Sequence, residues 1–483
     1  MSKKNPTAIE RMTEALPYID SWLDYRVWKL KTPGAQAAVW FDGKVRLSKA
    51  YGLSNIETGE KLTTKHLFRV ASHSKTFAAT AMMQLVEAGK LRLDDTAGEW
   101  IPSLKAADSA LAKVTVRELV SQTGGVIRDG IDATFWSHTI PFPDTDELLR
   151  ISIEEGNVRQ SEATFKYTNI GFSLLGMIIG AAAGSSFNAF TKESIVDRLG
   201  LKNTGPELDP DRLEEYAGAH SGTGSRESRK ELGHVDTRAM SAATGFYSTA
   251  EDMVTFASVH FFGDDRLISD RSKNEMQRTV WSNLGGGNPL DGYGYGTIVT
   301  HYNGHRTVGH SGGYPGHITR TFWDPNEGLA ISVLTNAVDG PAEELAAGMF
   351  CILEKAREST AKLPLTSGLK SSAALEPPAK PKGEIDPNSF TGRFSALWGV
   401  TDIVYLGGKL LATSPAMSSP FVQPSELAIV DKNTLKIMGG SPYGSVGEYY
   451  RYERDSDGKI VSVWTGGMRA WPIEVYRERD DQL

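Results

Sequence analysis

The tetrapeptide Ser72-His73-Ser74-Lys75, at the head of a strongly apolar segment, is the feature that most constrains this chain. Side chains three residues apart lie on one face of a helix, so Ser72 and Lys75 would be neighbours one turn apart. A serine hydroxyl becomes a strong nucleophile when a base removes its proton, and a lysine whose amine stays neutral can be that base. The tetrapeptide therefore predicts a hydrolase that forms a covalent intermediate on its serine.

The spacing of serine and lysine in this tetrapeptide is not specific on its own. It recurs three times in stretches typical of a linker or a surface turn, at Ser359/Lys362, Ser367/Lys370 and Ser456/Lys459. The first copy differs because the residues from Phe77 to Val86 are nearly all apolar, which predicts a buried helix. A lysine at the head of such a helix costs free energy unless it has polar partners or a lowered pKa. Lys75 is therefore the functional candidate among the four lysines.

Composition narrows the class of protein. The chain has 483 residues, too many for one ordinary core, so two or three domains are expected. Its net charge of −7 and the lack of a Lys/Arg run argue against a nucleic-acid partner. The one cysteine, Cys351, lies in an apolar stretch and is predicted to be a buried structural thiol. Because the N-terminus lacks a signal-peptide pattern and no apolar run could span a bilayer, we expect a cytoplasmic protein with no membrane partner.

Patterns along the chain predict an α+β fold. Residues 35–51 are typical of a β-hairpin, residues 76–265 of helices and loops, and residues 293–336 of strands. A helix is expected at 341–357. Strands at both ends that enclose a helical middle indicate a mainly antiparallel sheet flanked by helices.

The composition changes after this region. Residues 358–386 are rich in Ser, Ala, Pro and Lys, which is typical of an interdomain linker. Residues 387–483 contain short alternating runs separated by turns, which predict a small all-β domain of barrel-like form. The expected organisation is therefore a hydrolase domain at 1–357, a linker at 358–386 and a β domain at 387–483.

A serine–lysine pair also needs a second proton carrier and donors for the developing oxyanion. Tyr167 and Asn169 lie in a predicted extended stretch before an apolar helix, where the tyrosine could transfer a proton and the asparagine could hold a substrate carbonyl and brace Lys75. The alternative is a helix-entry loop in which the asparagine is only a cap. Further on, His310-Ser311-Gly312-Gly313 follows a predicted strand, and glycines at a strand edge let a substrate backbone approach closely.

These motifs, in this order, resemble those of the serine β-lactamase-like hydrolases, which include class C β-lactamases, related DD-peptidases, D-aminopeptidases and esterases. The resemblance covers roughly residues 30–355 and implies a β-lactamase-like antiparallel sheet flanked by helices, with a helical subdomain. It implies that Ser72 attacks the carbonyl while Lys75 and Tyr167 transfer protons. Which of those two is the first base stays open, as it does for Ser-x-x-Lys enzymes of another class.

The resemblance also implies how substrate is held. Asn169 would bind the substrate amide, and the backbone N–H groups of Ser72 and Gly313 would form the oxyanion hole. His310 and Gly312 would lie on the strand beside the substrate. His310 stands where β-lactamases usually have lysine, and because histidine is largely neutral at pH 7 it weakens a pocket for a carboxylate such as that of penicillin.

In having histidine at position 310, the sequence resembles the D-aminopeptidase and esterase branches of the family. Gln122 also departs from the pattern, since it stands where histidine is common. The sequence thus predicts a serine hydrolase that cleaves amide or peptide bonds of small substrates, with a small molecule or short peptide as its partner and neither a cofactor nor a metal. Three alternatives stay open: a carboxylesterase or an acyl transferase of the same fold, with weak or no β-lactamase activity, and a non-catalytic binding protein. The oligomeric state is not predicted.

Overall fold

The computed structural model describes residues 7–158, 160–162, 164–223, 228–282, 291–302, 304–358, 377–379, 381, 383–396, 399–421, 424–439, 447–465 and 468–478. Contacts divide the chain into a larger unit, Leu30–Ala346, and a smaller unit formed by Met1–Lys29 together with Ala347–Leu483. The domain boundaries expected from the sequence stay a prediction. Most of the predicted linker, 358–386, lies outside the described residues.

The larger unit is built on an antiparallel sheet whose strands come from two distant parts of the chain. In spatial order the strands are Glu60–Lys61, Lys44–Asn55, Gly34–Phe41, Leu329–Thr335, His317–Asp324, His305–Tyr314, Ile298–Tyr302, Gly292–Tyr293 and Trp281–Ser282. The early hairpin joins the late strands where Ala38 faces Ser332. This arrangement confirms the predicted hairpin, the predicted late strands and the α+β class, and it places the His310 strand, His305–Tyr314, inside the sheet.

Two short strand pairs lie outside this sheet. Phe68–Arg69 pairs with Tyr247–Ser248, and Ala219–His220 pairs with Glu231–Leu232. The first pair leads directly into the segment that carries Ser72, so it attaches the start of that segment to the chain around residue 247.

Helices fill the middle of the larger unit, as predicted. The α-helices there are Ser74–Glu87, Ala97–Trp100, Pro102–Ala106, Val116–Val120, Thr145–Glu154, Asn169–Ala183, Phe187–Thr191, Ser241–Thr244, Ala250–Ser258 and Asp270–Gln277. Shorter turns of 3₁₀-helix lie at Ala71–His73, Ala110–Lys113, Thr134–Ser137, Pro210–Glu215 and Arg238–Met240, with a π-helical turn at Lys192–Asp197. The helix predicted at 341–357 is observed as Ala342–Arg357.

The helix Ser74–Glu87, called the Lys75 helix below, lies in the hydrophobic core. Nearly all its residues are buried, as its composition predicts. The Phe77 ring stacks on Phe246 and on Phe256, with ring centroids 4.2 and 3.7 Å away. Aromatic pairs of this kind contribute about 0.5–1.5 kcal/mol beyond the area they bury. The position of the Lys75 helix is therefore set by the core.

The smaller unit contains the helix Ala8–Lys29, which continues through Pro17, and a closed antiparallel barrel. The barrel strands are Gly392–Ala396, Gly399–Leu406, Lys409–Thr413, Ser425–Asp431, Thr434–Gly439, Tyr449–Arg454, Ile460–Thr465 and Met468–Pro472. A 3₁₀ turn, Pro387–Phe390, precedes the barrel and a short helix, Ile473–Arg477, follows it. The barrel confirms the predicted all-β C-terminal domain, and Cys351 is buried, as predicted.

Within the described ranges, no single helix is long and apolar enough to cross a bilayer. Only the pair Asn169–Ala183 and Phe187–Asp197, bent by 75°, reaches the required length and composition when taken together.

Candidate active site

Ser72 sits on a tight turn at the entrance of the Lys75 helix. The turn begins at Ala71, whose φ of +48° lies in the left-handed region that residues other than glycine seldom adopt. Such a conformation costs about 1–3 kcal/mol and persists where neighbours hold it. Ser74 does so here, because its hydroxyl donates to the Ala71 carbonyl at 2.6 Å and accepts from the Phe246 N–H at 3.0 Å. Ser72 stays partly exposed while its neighbours on the turn are buried.

Lys75 has three polar neighbours and no exposure to solvent. Its Nζ lies 3.2 Å from Ser72 Oγ, 2.7 Å from Asn169 Oδ1 and 2.8 Å from the Ala243 carbonyl oxygen. Burial lowers the pKa of Lys75 well below its usual value, which favours the neutral amine. A neutral amine has two N–H donors and one lone pair. Because the two carbonyl oxygens can only accept, they take the two donors and leave the lone pair for the Ser72 hydroxyl.

Asn169 is the first residue of the helix Asn169–Ala183, but it does not cap it. Thr168 is the N-cap, and its hydroxyl accepts from the Gly171 N–H at 2.8 Å. The interpretation of Asn169 as a cap is therefore wrong, and its amide is available for other partners. Besides accepting from Lys75, Asn169 donates through Nδ2 to Asp129 Oδ1 at 2.7 Å.

Tyr167 lies over the serine–lysine pair. Lys75 Nζ lies 4.9 Å from the centroid of the Tyr167 ring. Burial raises the pKa of Tyr167 above its usual value, although the Ser72 hydroxyl and Arg128 lower it. Tyr167 is therefore a neutral phenol at physiological pH, and it has a proton to donate beside Ser72.

Gln122 holds the loop that carries Tyr167. Its Oε1 accepts from the Thr168 N–H at 2.7 Å, and its carbonyl oxygen accepts from the Lys166 N–H at 2.8 Å. The side chain of Gln122 thus holds the residue after Tyr167, and its backbone holds the residue before Tyr167. The side-chain hydrogen bond is made without a titratable group.

His310 is buried on its strand and keeps a defined tautomer. Nδ1 lies 2.6 Å from the Ser311 carbonyl oxygen, which can only accept, so Nδ1 carries the proton. Nε2 then accepts from the Tyr293 hydroxyl at 3.2 Å. Burial lowers the pKa of His310 well below its usual value. The neutral state expected from the sequence is reinforced by these surroundings.

The two glycines of the His310 strand have different surroundings. A Cβ on Gly312 would lie 2.1 Å from the Val70 carbonyl oxygen, so only glycine lets the strand approach the Ser72 turn this closely. A Cβ on Gly313 would meet only Ile318 Cδ1, at 3.6 Å, and Gly313 is exposed. The close approach brings the His310 ring to 6.2 Å from the His73 ring, measured between centroids.

The fold thus assembles the predicted residues around one serine. Hydrogen bonds join Lys75 to Ser72 and to Asn169, and the Tyr167 ring lies beside Lys75. His310, Gly312 and Gly313 come from the adjoining strand. Of the other serine–lysine spacings, Ser456/Lys459 lies in an exposed turn and the remaining two lie outside the described residues. The roles assigned to the site residues by the family resemblance stay predictions.

Sequence reasoning missed four participants. They are Asp129, Tyr293, His73 and the Ala243 carbonyl. His73 lies inside the tetrapeptide itself, so its position in the sequence could have marked it as a site residue. Asp129 comes from a loop and Ala243 from the short helix Ser241–Thr244, and neither is marked by a local sequence pattern. Over the described ranges, no group of three or more His, Cys, Asp or Glu side chains is arranged to hold a metal ion.

Comparisons of the sequence with a family model and with known proteins point to the same family. The model of the Beta-lactamase family matches residues 19–352. Penicillin-binding protein 4 of Amycolatopsis lactamdurans is 28% identical over 373 residues, which cover 72% of this chain and 90% of that protein. Penicillin-binding protein 4* of Bacillus subtilis (strain 168) is 28% identical over 293 residues, which cover 57% of this chain and 62% of that protein.

Solved structures show the same fold. The octameric penicillin-binding protein homologue from Pyrococcus abyssi matches with a TM-score of 0.63 at 19% identity, over 94% of this chain and 99% of that chain. The D-amino acid amidase from Ochrobactrum anthropi SV3 matches with a TM-score of 0.61 at 23% identity, over 71% of this chain and 100% of that chain. Both likenesses concern the fold alone.

Proposed function

Because the chain belongs to the Beta-lactamase family and is a serine hydrolase, we propose that it cleaves amide or peptide bonds of small substrates through an acyl-enzyme on Ser72. The observation that carries the proposal is the set of three neighbours around Lys75 Nζ. Two of these neighbours are carbonyl oxygens, which take both N–H donors of a neutral amine. The remaining lone pair can then only accept the proton of the Ser72 hydroxyl.

The first step follows from these contacts. Lys75 removes the Ser72 proton as Oγ bonds to the substrate carbonyl carbon, whose oxygen becomes an oxyanion. The backbone N–H groups of Ser72 and Gly313 are the proposed donors to that oxyanion, and a donor of this kind contributes about 2.7–4 kcal/mol to the lowered barrier. The C–N bond then breaks, and Tyr167 gives its proton to the leaving nitrogen.

The second step restores the enzyme. The Lys75 ammonium returns its proton to the Tyr167 phenolate, whose ring it already faces at 4.9 Å. A water molecule then attacks the acyl-serine ester, loses a proton to Lys75, and releases the acid while Ser72 regains its hydroxyl proton. Lys75 is thus the proposed first base and Tyr167 the proposed acid for the leaving group.

The state of His310 supports a particular substrate class. A buried neutral imidazole bonded to Tyr293 offers no positive charge to a substrate carboxylate. Amides without a carboxylate beside the scissile bond therefore suit the site better than penicillins. One structural neighbour is named as a D-amino acid amidase, so amides of D-amino acids belong in the first substrate panel.

Covalent labelling tests the proposal. A fluorophosphonate probe is expected to modify Ser72, detected by mass spectrometry of the digested protein. Ser72→Ala is the control variant and is expected to stay unlabelled and inactive. A folded wild-type protein that takes no label on Ser72, or an active Ser72→Ala, would falsify the proposal. Turnover of matched amides and esters, with a chromogenic cephalosporin alongside, then separates the amidase from an esterase or a β-lactamase.

A further inference from the structure

Asp129 is joined to the proposed base through one side chain. Its Oδ1 accepts from Asn169 Nδ2 at 2.7 Å, and Asn169 Oδ1 accepts from Lys75 Nζ at 2.7 Å. We propose that Asp129 is a positioning residue for Lys75: it fixes the direction of the Asn169 amide and thereby keeps the lysine lone pair on Ser72. This inference rests on the proposed function, because it assigns a role within the same acylation step.

The direction in which the Asn169 amide faces depends on the partners at its two ends. The oxygen and nitrogen of an asparagine side chain have nearly the same shape, so only their partners decide which way the group faces. In the reverse orientation, Asn169 Nδ2 would face the Lys75 amine and Oδ1 would face the Asp129 carboxylate. Two acceptors would then face each other at Asp129. A carboxylate accepts only, so Asp129 excludes the reversed orientation.

The direction of the Asn169 amide also decides where the lone pair of Lys75 points. With Asn169 Oδ1 facing Lys75, two carbonyl oxygens occupy the two N–H donors of the neutral amine. If the amide turned, one N–H would lose its acceptor and the lone pair would be drawn to the amide N–H. The lone pair would then no longer be held on Ser72. The effect of Asp129 therefore reaches the nucleophile without any contact between the two.

Asp129 is itself held in place. Its side chain is nearly buried, and its Oδ2 lies 3.1 Å from Arg128 Nε, while the Arg128 side chain is 63% exposed. Asp129 and Arg128 carry opposite charges and have opposite effects on the pKa of Lys75. Burial lowers that pKa most, Asp129 raises it, and Arg128 lowers it further.

The other titratable groups around Lys75 are neutral. Tyr167 has a raised pKa, and His310 has a pKa well below its usual value. Burial also lowers the pKa of His73, on the same turn as Ser72, to about 3. Asp129 and Arg128 are thus the charged pair by which the pH response of Lys75 can be changed in either direction.

The test measures the rate of Ser72 labelling by a fluorophosphonate across pH in the full-length protein. The reactive form needs neutral Lys75, so the rate rises with pH through the pKa of that residue. The rising part of the plot of labelling rate against pH is called the rising limb below. Asp129→Asn removes the negative charge, so this limb is expected to move to lower pH by about half a unit to one unit. Arg128→Gln is the matched control at the adjacent position, and its limb is expected to move to higher pH.

Asp129→Ala removes the acceptor as well as the charge. Because the amide can then turn, the plateau rate of labelling is expected to fall about a hundredfold, the scale seen when a catalytic group is slightly misplaced. Asp129→Asn can present either an acceptor or a donor to Asn169, so its plateau rate is expected to lie between those of wild type and Asp129→Ala. Thermal unfolding of each variant shows whether it is folded under the assay conditions.

The outcomes separate this inference from the proposed function. An unlabelled wild-type protein contradicts the acyl-serine mechanism itself. A labelled wild type with an unchanged plateau in folded Asp129→Ala overturns the positioning role alone. A rising limb that stays in place in both Asp129→Asn and Arg128→Gln overturns the effect of this charged pair on Lys75. A purely structural aspartate would lower the melting temperature without lowering the plateau rate of the folded variant.

Discussion

Lys75 Nζ lies closer to Asn169 Oδ1, at 2.7 Å, than to Ser72 Oγ, at 3.2 Å. The shorter contact belongs to the partner that can only accept, and the longer one to the hydroxyl that can give its proton away. The amine is therefore anchored by the amide and turned towards the serine. This arrangement suits the role proposed for Lys75, that of a base with no exposed surface.

The first prediction concerns the pH dependence of acylation. A lysine in water has a pKa of about 10.4, whereas burial lowers the pKa of Lys75. Neutral Lys75 is the reactive form, so the rate of Ser72 labelling is expected to fall as pH drops through the lowered pKa and to reach its plateau well below pH 10. Lys75→Met should label at least about a hundredfold more slowly at the plateau. A limb near the pKa of free lysine, or an unimpaired Lys75→Met, contradicts the assignment.

The same pKa shift predicts a pH-dependent stability. Below the lowered pKa both the folded and the unfolded chain carry a protonated Lys75. Between that pKa and the value for the unfolded chain, only the unfolded chain binds the proton, so the free energy of unfolding rises with pH. Denaturant unfolding at several pH values should show this contribution as a difference in slope between wild type and Lys75→Met. Parallel curves for the two proteins would mean that Lys75 keeps an ordinary pKa.

Tyr167→Phe is expected to affect amides more than esters. An amine is a poor leaving group until it is protonated, whereas an alkoxide or phenoxide can leave with less help, so removal of the phenol proton slows amide cleavage selectively. We expect kcat for an amide to fall about a hundredfold relative to kcat for the ester of the same acid. Equal losses on both substrates would assign Tyr167 to the attack step instead.

His310→Lys is expected to change substrate preference. The ammonium would add a positive charge on the strand beside the substrate, where the wild-type side chain is neutral. The ratio of kcat/KM for a cephalosporin to kcat/KM for a neutral ester should rise. The melting temperature should fall, because a charge replaces a buried imidazole bonded to Tyr293. His310→Gln serves as the neutral control, and a similar rise in that variant would rule out charge as the cause.

Adjacent glycines give a matched pair for testing the strand's approach. Gly312→Ala would place Cβ 2.1 Å from the Val70 carbonyl oxygen, so the strand and the Ser72 turn must separate. Both the melting temperature and the labelling rate should fall. Gly313→Ala meets only Ile318, at 3.6 Å, and should leave the melting temperature nearly unchanged. Equal melting temperatures for the two variants would show that the strand does not need the close approach.

Much of the fold could be predicted because its signals are local. The apolar run after Lys75, the hairpin turn near Asp42 and the alternating runs after residue 387 each reflect periodicity within a few residues. The interpretation of Asn169 as a cap failed for a local reason as well. Thr168 beside it also has a side-chain oxygen, and only backbone geometry decides which of the two accepts from the helix N–H groups.

The sequence by itself determined the candidate nucleophile, the order of the motifs and the family, because residue type and short spacing specify which side chains share a helix face. It also determined that position 310 has no permanent cation, since that depends only on the residue present. The tertiary structure alone decided that Asp129 supports Asn169 and that the Ala243 carbonyl occupies a donor of Lys75. Hydrogen bonds between residues 40 to 168 positions apart leave no periodic pattern along the chain. They depend on the packed core, which sets where each helix begins.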